Sequence, residues 1–155
     1  MRRDIIFIII TFWGCSCQQD SNEFPVWKEG EMEIHHIYTG RGESNFLIFP
    51  DGTTMLIDAG DYDPKDYPKM AELLPDTSQH AGTWIARYVK RMNPHKDKVD
   101  YLMISHFHSD HIGDVENETI CTKGRSPDYM LTGIAEVGEY IRFGKVFDRG
   151  FPDYQ

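Results

Sequence analysis

Positive charge is scarce in this sequence. The 155 residues include 16 Lys and Arg against 25 Asp and Glu, which gives a formal net charge of -9 at pH 7. No run of three or more basic residues interrupts this acidic composition. A protein that binds a nucleic-acid backbone by charge needs a basic surface. The composition therefore argues against that class of function, although bound divalent ions would make a site locally positive.

Cysteine is also rare. The three cysteines are Cys15, Cys17 and Cys121, and they have neither the spacing of a zinc finger nor the number of a disulfide framework. We interpret Cys121 as a small apolar filler rather than a functional thiol. A chain of this length is expected to form one domain with its own core.

Long apolar runs are absent as well. The longest, residues 5–13, follows Arg2 and Arg3 and is too short to span a bilayer. A basic start and a short apolar segment are typical of a signal peptide and predict export. Gly14-Cys15 resembles the end of a bacterial lipoprotein signal, in which Cys15 or Cys17 would carry the lipid. The alternative is a plain secretory signal or an N-terminal anchor.

This N-terminus sets the predicted organisation of the chain. We predict a signal peptide of the lipoprotein type at 1–17, a polar linker at 18–30 and a folded domain at 31–155. The expected location is a membrane, reached through the N-terminal lipid anchor, or the bacterial periplasm.

The folded part alternates strand and helix patterns. Apolar runs predict strands at 33–38, 46–49, 54–58, 99–104 and 144–148, and Asp51-Gly52 predicts a tight hairpin turn. Helical spacing predicts one helix at 83–92, ended by Asn93-Pro94, and another from 126–128 to 141. The helix at 83–92 acts as a crossover, so the strand at 99–104 should run parallel to an earlier strand. Its carboxyl end is where open sheets bind ligands.

The stretch that follows this strand is the most informative part of the chain. Four ligand-type side chains occupy six positions, namely His106, His108, Asp110 and His111. At a strand end the first two histidines point to the same side and can reach one cation, while the Asp-His pair faces a second position nearby. Imidazoles beside a carboxylate suit zinc, with manganese or iron as alternatives. The remaining histidines are interpreted as structural or solvated: His35, His36, His80 and His95.

This stretch resembles the His-x-His-x-Asp-His signature of the metallo-β-lactamase superfamily, with Gly113 at the position of the glycine that follows it. The resemblance implies an α/β (α+β) fold, the first βα half of an αββα sandwich. It implies that His106 and His108 hold one metal ion, and that Asp110 and His111 hold the second. Asp110 would also have a catalytic role in steering a metal-bound hydroxide nucleophile. Asp58 would bind no metal itself but would orient the metal-binding loop through hydrogen bonds.

Two further segments resemble one branch of that superfamily, the hydrolase domain of bacterial DNA-uptake channel proteins. They are residues 35–44 and the run Leu56-Ile57-Asp58-Ala59-Gly60, although Tyr38, Arg41 and Glu43 depart from the branch pattern. The resemblance implies a metal-dependent hydrolase with two zinc ions, acting on phosphodiesters. Lactones, thioesters and β-lactams remain open as small-molecule substrates.

Histidine is absent after His111. The family completes its metal site with a histidine, an aspartate and a final histidine well downstream of the first motif. We therefore expect the domain to be incomplete at its C-terminal end. This leaves an alternative of another class, an exported metal-binding domain or a truncated remnant without catalytic activity. A redox protein of the family's di-iron type is a third possibility.

Overall fold

The computed structural model describes residues 24–40, 42–61, 73–114, 122–123 and 130–149. The predicted signal peptide, the two N-terminal cysteines, Cys121 and the predicted helix start at 126–128 lie outside these residues. Within the described part, no helix is long and apolar enough to cross a membrane.

Five of the described strands form one mixed sheet. The strands and helices follow the chain in this order: β1 Glu33–His36, β2 Asn45–Ile48, β3 Thr54–Ile57, α1 Ala81–Met92, β4 Lys98–Met103, α2 Ser109–Ile112, β5 Thr122–Lys123, β6 Met130–Leu131, α3 Gly133–Tyr140 and β7 Arg142–Phe147. The sheet order is β1-β2-β3-β4-β7, antiparallel from β1 to β3 and parallel from β3 to β7. The α/β class expected from the sequence is confirmed.

The hairpin and the crossover form where the sequence predicts them. Gly52 joins β2 to β3 with a positive φ of 83°, a conformation that glycine adopts without a steric penalty, and its N–H donates to the Phe49 carbonyl at 2.9 Å. Helix α1 then carries the chain to β4, which pairs parallel with β3 through Leu56 and Leu102. The carboxyl end of β4 therefore lies beside the end of β3.

The core lies between the sheet and the helices α1 and α3. Helix α1 contributes Ile85, Ala86 and Val89, spaced so that they share one face of the helix. The other buried apolar residues of the core come from the strands, from the turn after β3, from the start of α1 and from the α3 region: Phe46, Ile48, Leu56, Ala59, Ala81, Val99, Leu102, Val137 and Ile141.

Asn93 ends α1 and connects it to the sheet. Its backbone N–H donates to the Val89 carbonyl at 2.8 Å, and its side-chain amide donates to the Lys98 carbonyl at 2.8 Å. Asn93 is almost completely buried. Pro94 follows and cannot continue the helix, so the chain turns directly into β4. The predicted end of this helix is confirmed.

The last helix does not include residues 130–132, contrary to the expectation from the sequence. Met130 and Leu131 pair with Thr122 and Lys123 as a short antiparallel ladder, and Thr132 is also extended. Helix α3 begins at Gly133, where φ is +48°. The apolar spacing of Ile134, Val137 and Ile141 fits the helix. Met130 and Leu131 continue this spacing by chance, although they pair as a strand.

Candidate metal centre

Three imidazoles meet at the carboxyl end of β4. His106 and His108 lie in the loop that follows this strand, and His111 lies in the short helix α2. The ring centroids of His106 and His111 are 3.9 Å apart, and those of His106 and His108 are 4.5 Å apart. Because β4 runs parallel to β3, this loop lies at the carboxyl end of the sheet. The three histidines, spaced two and three residues apart, converge there on one small region.

Asp58 holds the loop from the neighbouring strand end. It follows β3, is only 1% exposed, and has a φ of 58°. Its carboxylate accepts from the Ser105 backbone N–H at 2.8 Å and from the Ser105 hydroxyl at 2.6 Å. The same carboxylate lies 2.8 Å from His111 Nδ1. An ionised carboxylate only accepts, so this contact places a proton on His111 Nδ1, and in the neutral imidazole the lone pair then lies on Nε2.

The first two histidines bring one ring nitrogen each close together. His106 Nε2 lies 3.1 Å from His108 Nδ1. Two imidazole nitrogens bound to one tetrahedral zinc ion at about 2.0–2.1 Å would be roughly 3.3 Å apart. The observed separation is close to that value, so a small adjustment would let both nitrogens share one cation.

Asp110 and His111, which the sequence predicts as the second pair of ligands, also lie close together. Asp110 Oδ2 lies 4.0 Å from His111 Nε2, the nitrogen that the contact with Asp58 leaves without a proton. Asp110 is about one-third exposed at its side chain, while His111 is 20% exposed. The outer side of the cluster is therefore accessible to a ligand, and its inner side is fixed by Asp58.

Backbone hydrogen bonds join α2 to the turn formed by residues 58–61. The Ala59 N–H donates to the His111 carbonyl at 2.9 Å, and the Asp61 N–H donates to the Ser109 carbonyl at 3.2 Å. Gly60 passes so close that a Cβ atom there would lie 1.8 Å from the Asp110 carbonyl oxygen. Glycine is the residue that permits this approach, so the sequence Asp58-Ala59-Gly60 fixes both the position and the orientation of the motif.

A separate group of donors lies outside this cluster. Asp61, His80 and Glu136 each offer one ligand atom, and the three atoms lie within 4.8 Å of one another. Asp61 and Glu136 are buried, and His80 is partly exposed. The sequence interpretation missed this group because its members are separated by 19 and 56 residues and come from three different segments.

Three of the other four histidines have protein partners, whereas His80 lies in the group with Asp61 and Glu136 described above. His35 lies 3.0 Å from the Tyr88 hydroxyl and 2.9 Å from Glu33, and His95 lies 2.9 Å from the Gly52 carbonyl. His36 is exposed and contacts Asn45. These contacts agree with the structural or solvated roles expected for them. Ser105 was not assigned a role from the sequence, although its place directly before the motif was the available signal.

Comparison with known proteins gives one match. The family model described as the metallo-beta-lactamase superfamily matches residues 38–119, just over half of the chain. The matched segment contains Asp58, the turn that follows it and the whole histidine motif. The mixed sheet with its helices is consistent with part of that family's fold. No curated protein and no solved structure matches the chain.

Proposed function

Because the chain belongs to the metallo-beta-lactamase superfamily, we propose that it is a metal-dependent hydrolase of phosphodiesters. We further propose that its metal ions are held by His106, His108, Asp110 and His111. Membership of the superfamily itself suggests metal-dependent hydrolysis. The single observation that supports the proposed ligands is the 2.8 Å contact between His111 Nδ1 and Asp58.

The contact with Asp58 has the form expected of a metal-binding histidine. Metal-ligating histidines usually donate their other ring N–H to a carboxylate or carbonyl, which fixes the tautomer and raises the basicity of the ligating nitrogen. A histidine that was merely solvated would not need a carboxylate that is 1% exposed behind it. This pairing supports a role for His111 Nε2 as a ligand.

The donor set as a whole fits divalent transition metals. Three imidazoles and one carboxylate suit zinc, and manganese or iron would also be accepted. Such ions supply Lewis acidity, which activates water at neutral pH and polarises the oxygen of an ester.

The protein's own residues prepare this chemistry. Asp58 keeps a proton on His111 Nδ1, and it anchors the start of the loop through both donors of Ser105. Asp110 is partly exposed, so its carboxylate can orient an attacking water by accepting a hydrogen bond. The motif is therefore pre-organised on one side and open to substrate on the other.

The substrate class is supported by sequence resemblance. Residues 35–44 and Leu56-Ile57-Asp58-Ala59-Gly60 resemble the hydrolase domain of DNA-uptake channel proteins, whose chemistry points to phosphodiesters. A phosphodiester carries one negative charge, and a site that holds two divalent cations would attract it in spite of the acidic composition of the chain.

The test combines metal content with hydrolysis. The full chain is loaded with zinc, freed of excess metal and examined by elemental analysis, and then assayed on bis(p-nitrophenyl) phosphate with and without a chelator. We expect His106→Ala and His108→Ala each to lower the bound zinc and to reduce hydrolysis by about 100-fold or more. His36→Ala is the matched control, because His36 is an exposed histidine outside the cluster.

Two outcomes would contradict the proposal in different ways. Unchanged zinc content in His106→Ala and His108→Ala would remove the ligand assignment. Normal zinc binding by the wild-type chain without chelator-sensitive hydrolysis would instead support a metal-binding domain without catalytic activity.

A further inference from the structure

We propose that Asp61, His80 and Glu136 form a second divalent-cation site, separate from the imidazole cluster. The site takes an ion with mixed nitrogen and oxygen preference, such as Mn²⁺ or Zn²⁺. It shares no ligand with His106, His108, Asp110 or His111, so it does not rest on the proposed function.

The three donors come from three structural elements that the fold brings together. Asp61 ends the turn that follows β3, His80 immediately precedes α1, and Glu136 lies in the first turn of α3. Their ligand atoms lie within 4.8 Å of one another. Atoms that bind one ion at bond lengths of about 2.0–2.2 Å are separated by no more than about 4.4 Å, so a small closure would complete the site.

Burial makes an empty site of this kind costly. Asp61 is 6% exposed and Glu136 is 4% exposed, so two carboxylates lie close together away from water. Carboxylates that are both ionised in such a position would repel each other and lose part of their hydration. A divalent cation would compensate both charges and supply the bonds that water supplies at the surface.

Glu136 carries an oxygen that the fold leaves without a hydrogen bond. Its Oε1 accepts from the Thr83 hydroxyl, whereas its Oε2 is buried and has no partner among the described residues. Buried carboxylate oxygens are normally satisfied, so an oxygen of this kind beside two other metal-ligating groups points to a missing ligand.

Gly82 makes room for this carboxylate. A Cβ atom at Gly82 would lie 2.7 Å from Glu136 Oε2 and 2.8 Å from Glu136 Cβ. The absence of a side chain at the start of α1 therefore allows α3 to bring Glu136 next to His80.

One imidazole and two carboxylates define the ligand class. This set suits Mn²⁺, Fe²⁺ and Zn²⁺, with the remaining positions of the ion available to water. The bound ion would tie the turn at 58–61 to the starts of α1 and α3. Because the Asp61 N–H donates to the Ser109 carbonyl, the ion would also stabilise the position of α2.

The test removes the first cluster and then measures binding at the second. In the full chain, the triple variant H106A/H108A/D110N deletes most of the imidazole cluster while keeping the contact between His111 and Asp58. Binding of Mn²⁺ is counted by the electron paramagnetic resonance signal of the free ion, and Zn²⁺ is counted by elemental analysis. We expect this background to retain about one ion per chain.

Matched variants in the same background identify the ligands. Glu136→Gln keeps the size of the side chain and an acceptor for Thr83, and it should lower the affinity at least tenfold. Glu139→Gln removes one charge from the same helix and should leave the affinity unchanged. His80→Gln provides a second variant with little risk to folding, since His80 is partly exposed and makes no capping hydrogen bond to α1.

The proposal fails on either of two results. In the first, the background variant is folded by circular dichroism and binds neither ion at millimolar concentration. In the second, Glu136→Gln and His80→Gln bind the ion as tightly as Glu139→Gln does. Neither result bears on the zinc content or hydrolysis of the first cluster, so the two proposals are tested independently.

Discussion

Asp58 connects the two strand ends that build the histidine cluster. Its conformation, with a φ of 58°, is one that Asp and Asn tolerate better than most side chains. This conformation follows β3 directly and turns the carboxylate towards Ser105 and His111. A single buried residue therefore sets both the start of the loop and the tautomer of one proposed ligand.

Asp58→Asn tests this control of the tautomer. An amide nitrogen facing His111 Nδ1 donates instead of accepting, so the imidazole proton should move to Nε2 and block the ligating lone pair. We expect zinc affinity to fall by about 10- to 100-fold. The free energy of unfolding should fall by about 1–2 kcal/mol. Zinc competition with a chromophoric chelator measures the affinity, and imidazole ¹⁵N shifts report the tautomer.

Ser105→Ala is the control for Asp58→Asn. It removes one donor to Asp58 but leaves the carboxylate opposite His111 Nδ1. It should reduce stability with a smaller effect on zinc binding. If both variants lose the same affinity, or if Asp58→Asn leaves the tautomer unchanged, Asp58 does not act through His111.

The sequence predicted the positions of some site residues but not of others. The histidine motif is local, so its convergence follows from strand geometry and from the parallel pairing of β4. The position of Asp58 beside the motif could be anticipated from resemblance. The group of Asp61, His80 and Glu136 could not, because no local pattern relates a turn, a helix start and a third element. Such a group appears only once the packing of α1 and α3 is known.

At the scale of elements, the turn at 58–61 and helix α2 behave as one unit. Their backbones are joined by hydrogen bonds from Ala59 to His111 and from Asp61 to Ser109. A further bond from the Glu43 N–H to the Asp110 carbonyl, at 2.7 Å, joins the end of the β1–β2 connection to the same unit. The three elements depend on a close approach that only glycine at position 60 allows.

Gly60→Ala and Gly138→Ala form a matched pair that tests this dependence. A Cβ at Gly60 would overlap a backbone oxygen, so the turn must move, and we expect a loss of about 3 kcal/mol or more in the free energy of unfolding. At Gly138, in α3, a Cβ would meet nothing within 4 Å. Alanine there should stabilise the protein by about 0.5–1 kcal/mol. Urea unfolding measures both changes.

The prediction depends on the two substitutions changing the free energy of unfolding in opposite directions. Equal destabilisation by both substitutions would mean that glycine is needed for a reason other than the close approach at position 60. A stable Gly60→Ala variant would show that α2 can move away from the turn.

Elements were predictable where the pattern was local and uninterrupted. The apolar runs of β2 and β3, the Asp-Gly turn and the stop at Asn93-Pro94 each predicted a boundary that the structure confirms within a few residues. The helix predicted before Gly133 was wrong for residues 130–132 because Met130 and Leu131 happened to continue a helical spacing. Their extended conformation depends on pairing with β5, which is not visible in the local sequence.

For the molecule as a whole, lowering the pH has two opposing effects on the stability of the folded state. The chain has a formal net charge of -9 at pH 7 and a sequence pI of about 5.1. Lowering the pH towards the pI reduces the repulsion between like charges, which should favour the compact state. Below that range, carboxylates that accept hydrogen bonds in the folded state begin to be protonated, and their contribution is lost.

Asp100 is one such carboxylate, and it joins two strands of the sheet. Its Oδ2 accepts from the backbone N–H and the hydroxyl of Thr54, both at 3.0 Å, and Lys98 Nζ lies 3.6 Å from Oδ1. Burial acts to raise the pKa of Asp100, but the hydrogen bonds from Thr54 and the charges of Lys98 and His95 outweigh it, so the pKa lies below its usual value. The ionised form therefore stabilises the contact between β3 and β4.

Asp100→Asn should reveal this contribution through its dependence on pH. Because the folded-state pKa is lowered, the stabilisation is fully present above the unfolded-state pKa of about 3.9 and disappears as the pH falls through the folded-state value. We expect the variant to be about 1 kcal/mol less stable than the wild type from pH 7 to pH 5, with the difference shrinking below about pH 4. Urea unfolding at a series of pH values measures it.

The control is Glu29→Gln, which removes one charge at an exposed position and so separates the local contact from the general effect of net charge. The assignment would be contradicted if the stability difference of Asp100→Asn stayed constant down to pH 2, or if Glu29→Gln reproduced it.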